Sequence, residues 1–331
     1  MGKAAEPSTP GASPPNAGWA ALRKNRAAYI SFWLIVAAAI IAFAVPPLMP
    51  DVFKEPSDST YLGPFDRSEG GLHLFGTDIN GKDLFYRCLA GLRVSLVVGC
   101  AGALISLVIG SLYGMIAGLA GGRVDAVMMR AVDAIYSIPR LLFIMVFIAA
   151  FDPRIRGLLD AGRLKAAENG WEATQDWLDS LIPYSRMIIL IASLGLVEWL
   201  TMARIVRGQV LVLREQGFVL AARAMGQSRL AIIRKHLLPN LSGIILTYLT
   251  LTIPTVILDE SFLSFLGLGI DDPAASLGSL LKDGAQVINP IESKWWLLAF
   301  PAAIMSILLL SLNFLGDGLR DAFDPRSSKG R

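Results

Sequence analysis

The amino-acid sequence predicts an all-α integral membrane protein of six transmembrane helices, with one long basic loop that carries two short amphipathic helices. Three observations lead there. Of the 331 residues, 54% are hydrophobic and 17% charged, and the mean hydropathy of +0.54 is above that of an ordinary water-soluble domain. Six apolar runs approach the about 20 residues that a helix needs to cross a hydrocarbon core of roughly 30 Å. Lys and Arg gather in alternate connecting segments, which sets an orientation.

Residues 1–27 are rich in Pro, Ser, Gly and Ala and have no apolar run before Trp19, so a disordered cytoplasmic tail without a cleavable signal is expected. Arg23, Lys24 and Arg26 precede the first span, 28–49, and hold the N-terminus in the cytoplasm. Residues 50–92 then form an extracytoplasmic loop, in which Asp51, Glu55, Asp58, Asp66, Glu69, Asp78 and Asp83 outnumber the basic residues. Within it Gly76-Thr-Asp-Ile-Asn-Gly81-Lys82-Asp83 comes near a phosphate-binding loop. Asp83 stands where Ser or Thr is required, however, and no strand pattern precedes it. Asp78, Asn80 and Asp83 lack the twelve-residue frame and terminal Glu of a calcium loop. A capped turn leading into an amphipathic stretch at 84–92 is the expectation.

The core, 93–316, holds spans at 94–120, 127–150, 187–203, 241–258 and 295–315. Gly110, Gly114 and Gly118, preceded in register by Ser106, form a small-residue stripe that lets another helix approach closely. Cys88 and Cys100 read as packing residues. Charges at depth are costly and call for partners. Asp133 is expected to pair with Arg130 a turn away; Glu198, beside Trp199, is open to packing, a proton step or substrate contact, with a structural partner such as Arg204 the favoured reading. Asp259 and Glu260 close the fifth span, where water is expected to reach them. The insertion 151–184 is extracytoplasmic, and its Trp171, Trp177, Leu178 and Leu181 suit a helix at the membrane interface. Residues 317–331, with Arg320, Arg326, Lys329 and Arg331, return to the cytoplasm.

Between the fourth and fifth spans, loop 207–239 carries Arg207, Arg214, Arg223, Arg229, Arg234 and Lys235 against the single acid Glu215. Phe218, Ala221, Ala222 and Met225 share one helical face; beyond Gly226, Leu230, Ile233 and Leu237 recur with helical spacing. Two short helices therefore meet at a glycine, and Pro239 is expected to stop the second. Such a piece lies on lipid headgroups or docks into a groove on a soluble partner. Catalysis is not indicated. The two histidines, His73 and His236, are predicted on opposite sides of the membrane, so no His-based triad or zinc site is assembled. No metal, cofactor or nucleic acid is expected on this chain.

At this loop the chain resembles the coupling-loop signature of ABC importer permeases: Glu-Ala-Ala, three residues, Gly, and a later apolar-x-Leu-Pro. Here it reads Leu220-Ala221-Ala222-Arg223-Ala224-Met225-Gly226, closing with His236-Leu237-Leu238-Pro239. Three further segments are similar to the oligopeptide/dipeptide/nickel branch of that family. They are Phe75-Gly-Thr-Asp-Ile-Asn-Gly-Lys-Asp-Leu84, Asp259-Glu-Ser-Phe-Leu-Ser-Phe-Leu-Gly-Leu-Gly269 and Gly316-Asp-Gly-Leu-Arg-Asp-Ala-Phe-Asp-Pro325. The short N-terminal tail, single leading span and large first loop resemble the C-type member of the permease pair.

The resemblance implies a type I importer permease fold for oligopeptides or dipeptides. It also implies that Glu215, Phe218, Leu220, Ala221, Ala222, Arg223, Met225, Gly226 and Pro239 form the ATPase-coupling surface. The implied partners are a homologous permease, one or two cytoplasmic ATPase subunits holding ATP and magnesium, an extracytoplasmic peptide-binding protein, and membrane lipid. Leu220 replaces the family's usual Glu, so an ion pair from that position is not carried over. The alternative from another class is a secondary transporter or channel, which needs no ATPase and places ionisable residues such as Glu198 near the midplane. The paired amphipathic helices around Gly226 argue against it.

Overall fold

The computed structural model describes residues 23, 25–50, 55, 59–68, 71–270, 275–288 and 293–323. Most of the tail expected at 1–27 lies outside the described residues, as do Asp51, Asp58 and Glu69 of the acidic loop and Arg326, Lys329 and Arg331 of the C-terminal tail. Helix α1, Arg26–Leu48, starts where the Asn25 side chain accepts the Ala28 N–H at 3.3 Å. A short hairpin follows, β1 Arg67–Ser68 against β2 Gly71–Leu72. Next comes a tight turn in which Asp78 Oδ1 accepts the N–H groups of Asn80 and Lys82 at 2.8 and 2.9 Å.

Asp83 caps α2, accepting the Tyr86 N–H at 2.7 Å. This helix runs unbroken over Leu84–Ala120, because residues 84–120 contain no proline. The amphipathic stretch at 84–92 and the span at 94–120 are thus one helix, and the first loop ends near Asp83 rather than at residue 92.

The third apolar run is not the straight span expected at 127–150. It splits into α3, Gly122–Tyr136, and α4, Arg140–Glu168, which bend by 84° at their junction. Pro139 has no N–H to donate and disfavours helical angles at Ile138, so the helix must break there. Beyond residue 150, α4 continues to Glu168. Gly170, with φ +69°, then turns the chain back into α5, Glu172–Leu181. Leu178 packs beside Gly162, and Arg163 pairs with Asp179 at 3.0 Å. The insertion 151–184 is therefore a helical hairpin rather than one interfacial helix, with Trp171 and Trp177 exposed.

After a 3₁₀ turn at Ile182–Tyr184 come α6, Ser185–Leu213; α7, Gly217–Ala224; and the single turn α8, Arg229–Ile232. A π turn, Ile233–Leu237, leads straight into α9, Leu238–Phe265, and α10, Leu277–Val287, and α11, Trp296–Phe323, complete the chain. Pro239 does not stop a helix. It stands in the first turn of α9, where a missing N–H costs little, and the widened π turn before it carries the axis through. Arg229–Phe265 is consequently one rod of 37 residues. Among the described residues, five helices are long and apolar enough to cross a membrane, or six when α3 and α4 count as one broken span.

The bundle is organised around α2, which meets α6 along most of its length and also touches α9, α10 and α1. Val98, Ile144, Leu190, Leu194 and Val256 bring α2, α4, α6 and α9 together in one apolar cluster. Ala42, Leu92, Ile257, Leu277 and Leu308 join α1, α2, α9, α10 and α11 in another. Cys88 is buried in the packing, whereas Cys100 is exposed, contrary to expectation.

Candidate functional site

The stripe on α2 is a contact for backbone. A Cβ on Gly110 would stand 2.7 Å from the Trp199 carbonyl oxygen, one on Gly114 2.5 Å from that of Ala203, and one on Gly118 2.8 Å from Val210 Cβ. Only hydrogen at these positions lets α6 lie this close. The same contact reaches the end of the bundle that carries α7. Arg214 Nη1 donates to the Gly118 carbonyl at 3.1 Å, and its Nε to Glu215 at 3.0 Å, which fixes the corner where α6 gives way to α7.

Helix α7 rests on this corner through Val219 and Ala222, both fully buried against Met115, Val206, Ile232 and Leu237. Ala222 thus belongs to the anchoring face, not to the free face it was expected to share with Phe218, Ala221 and Met225. Those three, with Glu215, Leu220, Arg223 and Pro239, are exposed. Leu230 of the second set is likewise exposed, while Leu237 is buried. The alternation arises because α7 lies across the helix ends and buries the i, i+3 pair pointing down.

Gly226 terminates α7 with φ +76°. Its N–H donates to the Arg223 carbonyl at 2.9 Å and that of Gln227 to Ala222 at 3.1 Å, the paired bonds of a Schellman end. A Cβ there would touch nothing, so glycine is required by the backbone angle alone. Ser228 then caps α8, accepting the Ala231 N–H at 3.3 Å, and His236 Nε2 meets Gln227 Oε1 at 3.1 Å across the corner.

A second constellation lies along the bundle axis, and the sequence reading missed its centre. Arg140, first residue of α4, places Nη1 2.8 Å from Glu198 Oε1 of α6 and Nη2 2.9 Å from Asp259 Oδ1 of α9. Glu198 is therefore partnered by Arg140 and not by Arg204. Arg204 instead pairs with Asp133 at 2.7 Å and stacks on Tyr136, so the expected Arg130–Asp133 pair is replaced. Asp125 receives both Nε and Nη2 of Arg207, the latter at 2.6 Å, which ties α3 to α6. The signal for Arg140 was present in the sequence: a lone Arg directly after Pro139 within an apolar run.

Asp259 and Glu260 are not water-exposed as expected. Both are buried, Glu260 completely. Its carboxylate accepts the hydroxyls of Ser264 at 2.7 Å, Ser261 at 3.3 Å and Ser95 at 3.4 Å, and Ser95 Oγ in turn accepts the Leu277 N–H at 3.3 Å. This knot joins α2, α9 and α10. At the same end Arg87 bonds Asp78, and its Nη2 reaches Asp283 at 3.3 Å, while His73 Nδ1 and Asp83 Oδ2 are 2.8 Å apart. The Gly-Thr-Asp segment is thus built into the structure as a clasp between the first loop and α10.

Comparison with known proteins follows the same outline. Residues 110–329 match the family described as "Binding-protein-dependent transport system inner membrane component". The chain is 39% identical over 303 residues to the "Oligopeptide transport system permease protein OppC" of Haemophilus influenzae, covering 92% of this chain and 86% of that one. It is 37% identical over 309 residues to the "Dipeptide transport system permease protein DppC" of Bacillus subtilis, covering 93% and 84%. A solved structure titled as the inward-facing MetNI methionine ABC transporter superposes with a TM-score of 0.51 at 20% identity, over 73% of this chain and 98% of that chain; this likeness concerns the fold.

Proposed function

Because the chain belongs to the family of binding-protein-dependent transport system inner membrane components, we propose that it is the permease subunit of an ATP-driven importer of oligopeptides or dipeptides. It forms half of the translocation path beside a homologous permease. One or two cytoplasmic ATPase subunits hold ATP and magnesium, and an extracytoplasmic binding protein delivers the peptide. The chain itself does no chemistry. Both termini and the α7–α8 loop face the cytoplasm, in keeping with the basic residues Arg223, Arg229, Arg234 and Lys235 around that loop.

The observation that carries this reading is the two-sided burial of α7. Val219 and Ala222 anchor it to the helix ends, while Phe218, Leu220 and Met225 stay bare, Met225 being 72% exposed. An apolar row held rigidly at the membrane surface suits the groove of a soluble partner. Movement of that partner would reach α2 and α6 through Met115 and Val206, so the loop has a physical route for biasing a two-state bundle. Purification in mild detergent followed by mass spectrometry tests the assembly: an ATPase and a second permease should accompany this chain. Recovery without any ATPase would favour a secondary transporter instead.

Orientation is tested by thiol labelling after the exposed Cys100 has been replaced by Ala. A cysteine at Ala173 should react with an impermeant reagent in intact cells, and one at Ser228 only after permeabilisation. Labelling of Ser228 in intact cells would invert the topology.

A further inference from the structure

We propose that the Arg140–Glu198–Asp259 cluster and the cavity beside it bind the cationic end of the substrate in transit, the N-terminal ammonium of a peptide. The inference rests on the peptide-import reading for the identity of the ligand, but its electrostatic content does not depend on it.

One guanidinium here serves two carboxylates. The Glu198 and Asp259 side chains are only 10% and 8% exposed, whereas Arg140 is 44% exposed. With all three ionised, the cluster has one negative charge in excess, in a setting where an unmatched charge is costly. It also lacks a donor: Asp259 Oδ2 is buried and has no hydrogen-bond partner among the described residues. Nearby, Arg204 and Asp133 cancel each other and supply neither. An ammonium beside Glu198, which lines the cavity, brings the missing positive charge together with three N–H donors.

The cavity sets the size of what enters. It measures about 280 Å³ and is lined by Arg140 and Glu198, by Ile135, Phe143 and Val197, and by Thr201, while Asp259 is joined to it through Arg140. That volume lies at the lower edge of the roughly 300–1,000 Å³ of whole-ligand pockets, so it suits the end of a peptide rather than a long chain. The cavity sits at the 84° bend between α3 and α4, whose junction residues from Ile135 to Arg140 form one of its walls.

The test uses the complete complex with its binding protein in vesicles, carrying wild-type permease, Glu198→Gln or Asp259→Asn. Uptake of radiolabelled trialanine is divided by that of N-acetyl-trialanine. Because one binding protein serves every permease, its own preference cancels when variant and wild-type ratios are compared. The ratio should fall at least fivefold in both variants. N-acetyl-Ala-Lys-Ala separates the two sources of an ammonium: indifference to the variants assigns the site to the peptide terminus, and a parallel loss to any substrate cation. An unchanged ratio in both variants overturns the proposal.

A second measurement needs no import. Thr201→Cys in a Cys100→Ala background is modified by an ammonium-bearing and a sulfonate-bearing methanethiosulfonate, each rate being normalised to that of a small thiol in solution. The ammonium reagent should react at least fivefold faster, and the two should approach parity when Glu198→Gln is added. Parity in the unmodified cluster overturns the site, whether or not the vesicles take up peptide; failure of wild-type vesicles to import any of the three probes counts against the peptide-import reading alone.

Discussion

Replacing Gly226 with Val is expected to abolish most transport while leaving insertion and assembly intact. Gly226 holds φ at +76°, and a β-branched residue there costs on the order of 1–3 kcal/mol. No side chain crowds the position, so the whole penalty falls on the Schellman end that fixes α7 against α8. At about 2 kcal/mol the docked geometry loses roughly thirtyfold in population, and the Phe218 and Met225 row turns away from its partner. Uptake and ATP hydrolysis in reconstituted vesicles, with and without binding protein, read the result. Uptake should fall at least tenfold, and hydrolysis should no longer rise when loaded binding protein is added. Gly226→Ala should lie between, and Leu220→Glu should transport normally, since an exposed carboxylate in the first half of α7 suits the helix dipole. Full uptake and normal stimulation in Gly226→Val would remove the coupling role from this loop.

Gly114→Leu should fail earlier, at assembly. A Cβ alone would stand 2.5 Å from the Ala203 carbonyl and 2.9 Å from the Arg207 nitrogen, and neither is a flexible side chain that can step aside. Overpacking in a well-filled contact costs about 1–3 kcal/mol, and separating α2 from α6 also withdraws support from Arg214 and the corner under α7. Intact complex recovered in mild detergent should drop several-fold. Leu112→Ile, on the exposed face of the same helix, should be recovered like wild type. Equal recovery of both would mean that α2 and α6 can part without consequence for the assembly.

The parts of this architecture that were legible in the sequence are those that depend on one helix at a time. Apolar run length marks a span whether or not its neighbours are known, and the spacing of Gly110, Gly114 and Gly118 marks a face. Gly226 was legible because a helix-ending glycine after Ala221, Ala222 and Met225 has few other uses. Pairings were not. Arg140 is 58 residues from Glu198 and 119 from Asp259, and chain proximity pointed instead to Arg130 and Arg204. Burial of Glu260 was hidden because its partners include Ser95, 165 residues away, and hydroxyls carry no charge signal. Pro239 reads as a helix stop and Pro139 as an ordinary residue inside a span, yet it is Pro139 that breaks a helix, because the π turn before Pro239 absorbs what a regular turn cannot.

That π turn gives the bundle a lever. At about 1.5 Å per residue, the rod from Arg229 to Phe265 is roughly 55 Å long. It crosses α2 far off centre, where Val256 and Ile257 press on Gly102 and Gly99. With the fulcrum there, the arm toward Arg229 is roughly 42 Å and the arm toward Phe265 roughly 12 Å. A swing at the α8 end therefore arrives at Phe265 reduced about threefold in distance and raised in the same proportion in force. Asp259 sits two residues beyond the fulcrum, where translation is small and rotation dominates. A broad, soft excursion at the membrane surface would be geared down into a short, stiff twist of the carboxylate that Arg140 holds.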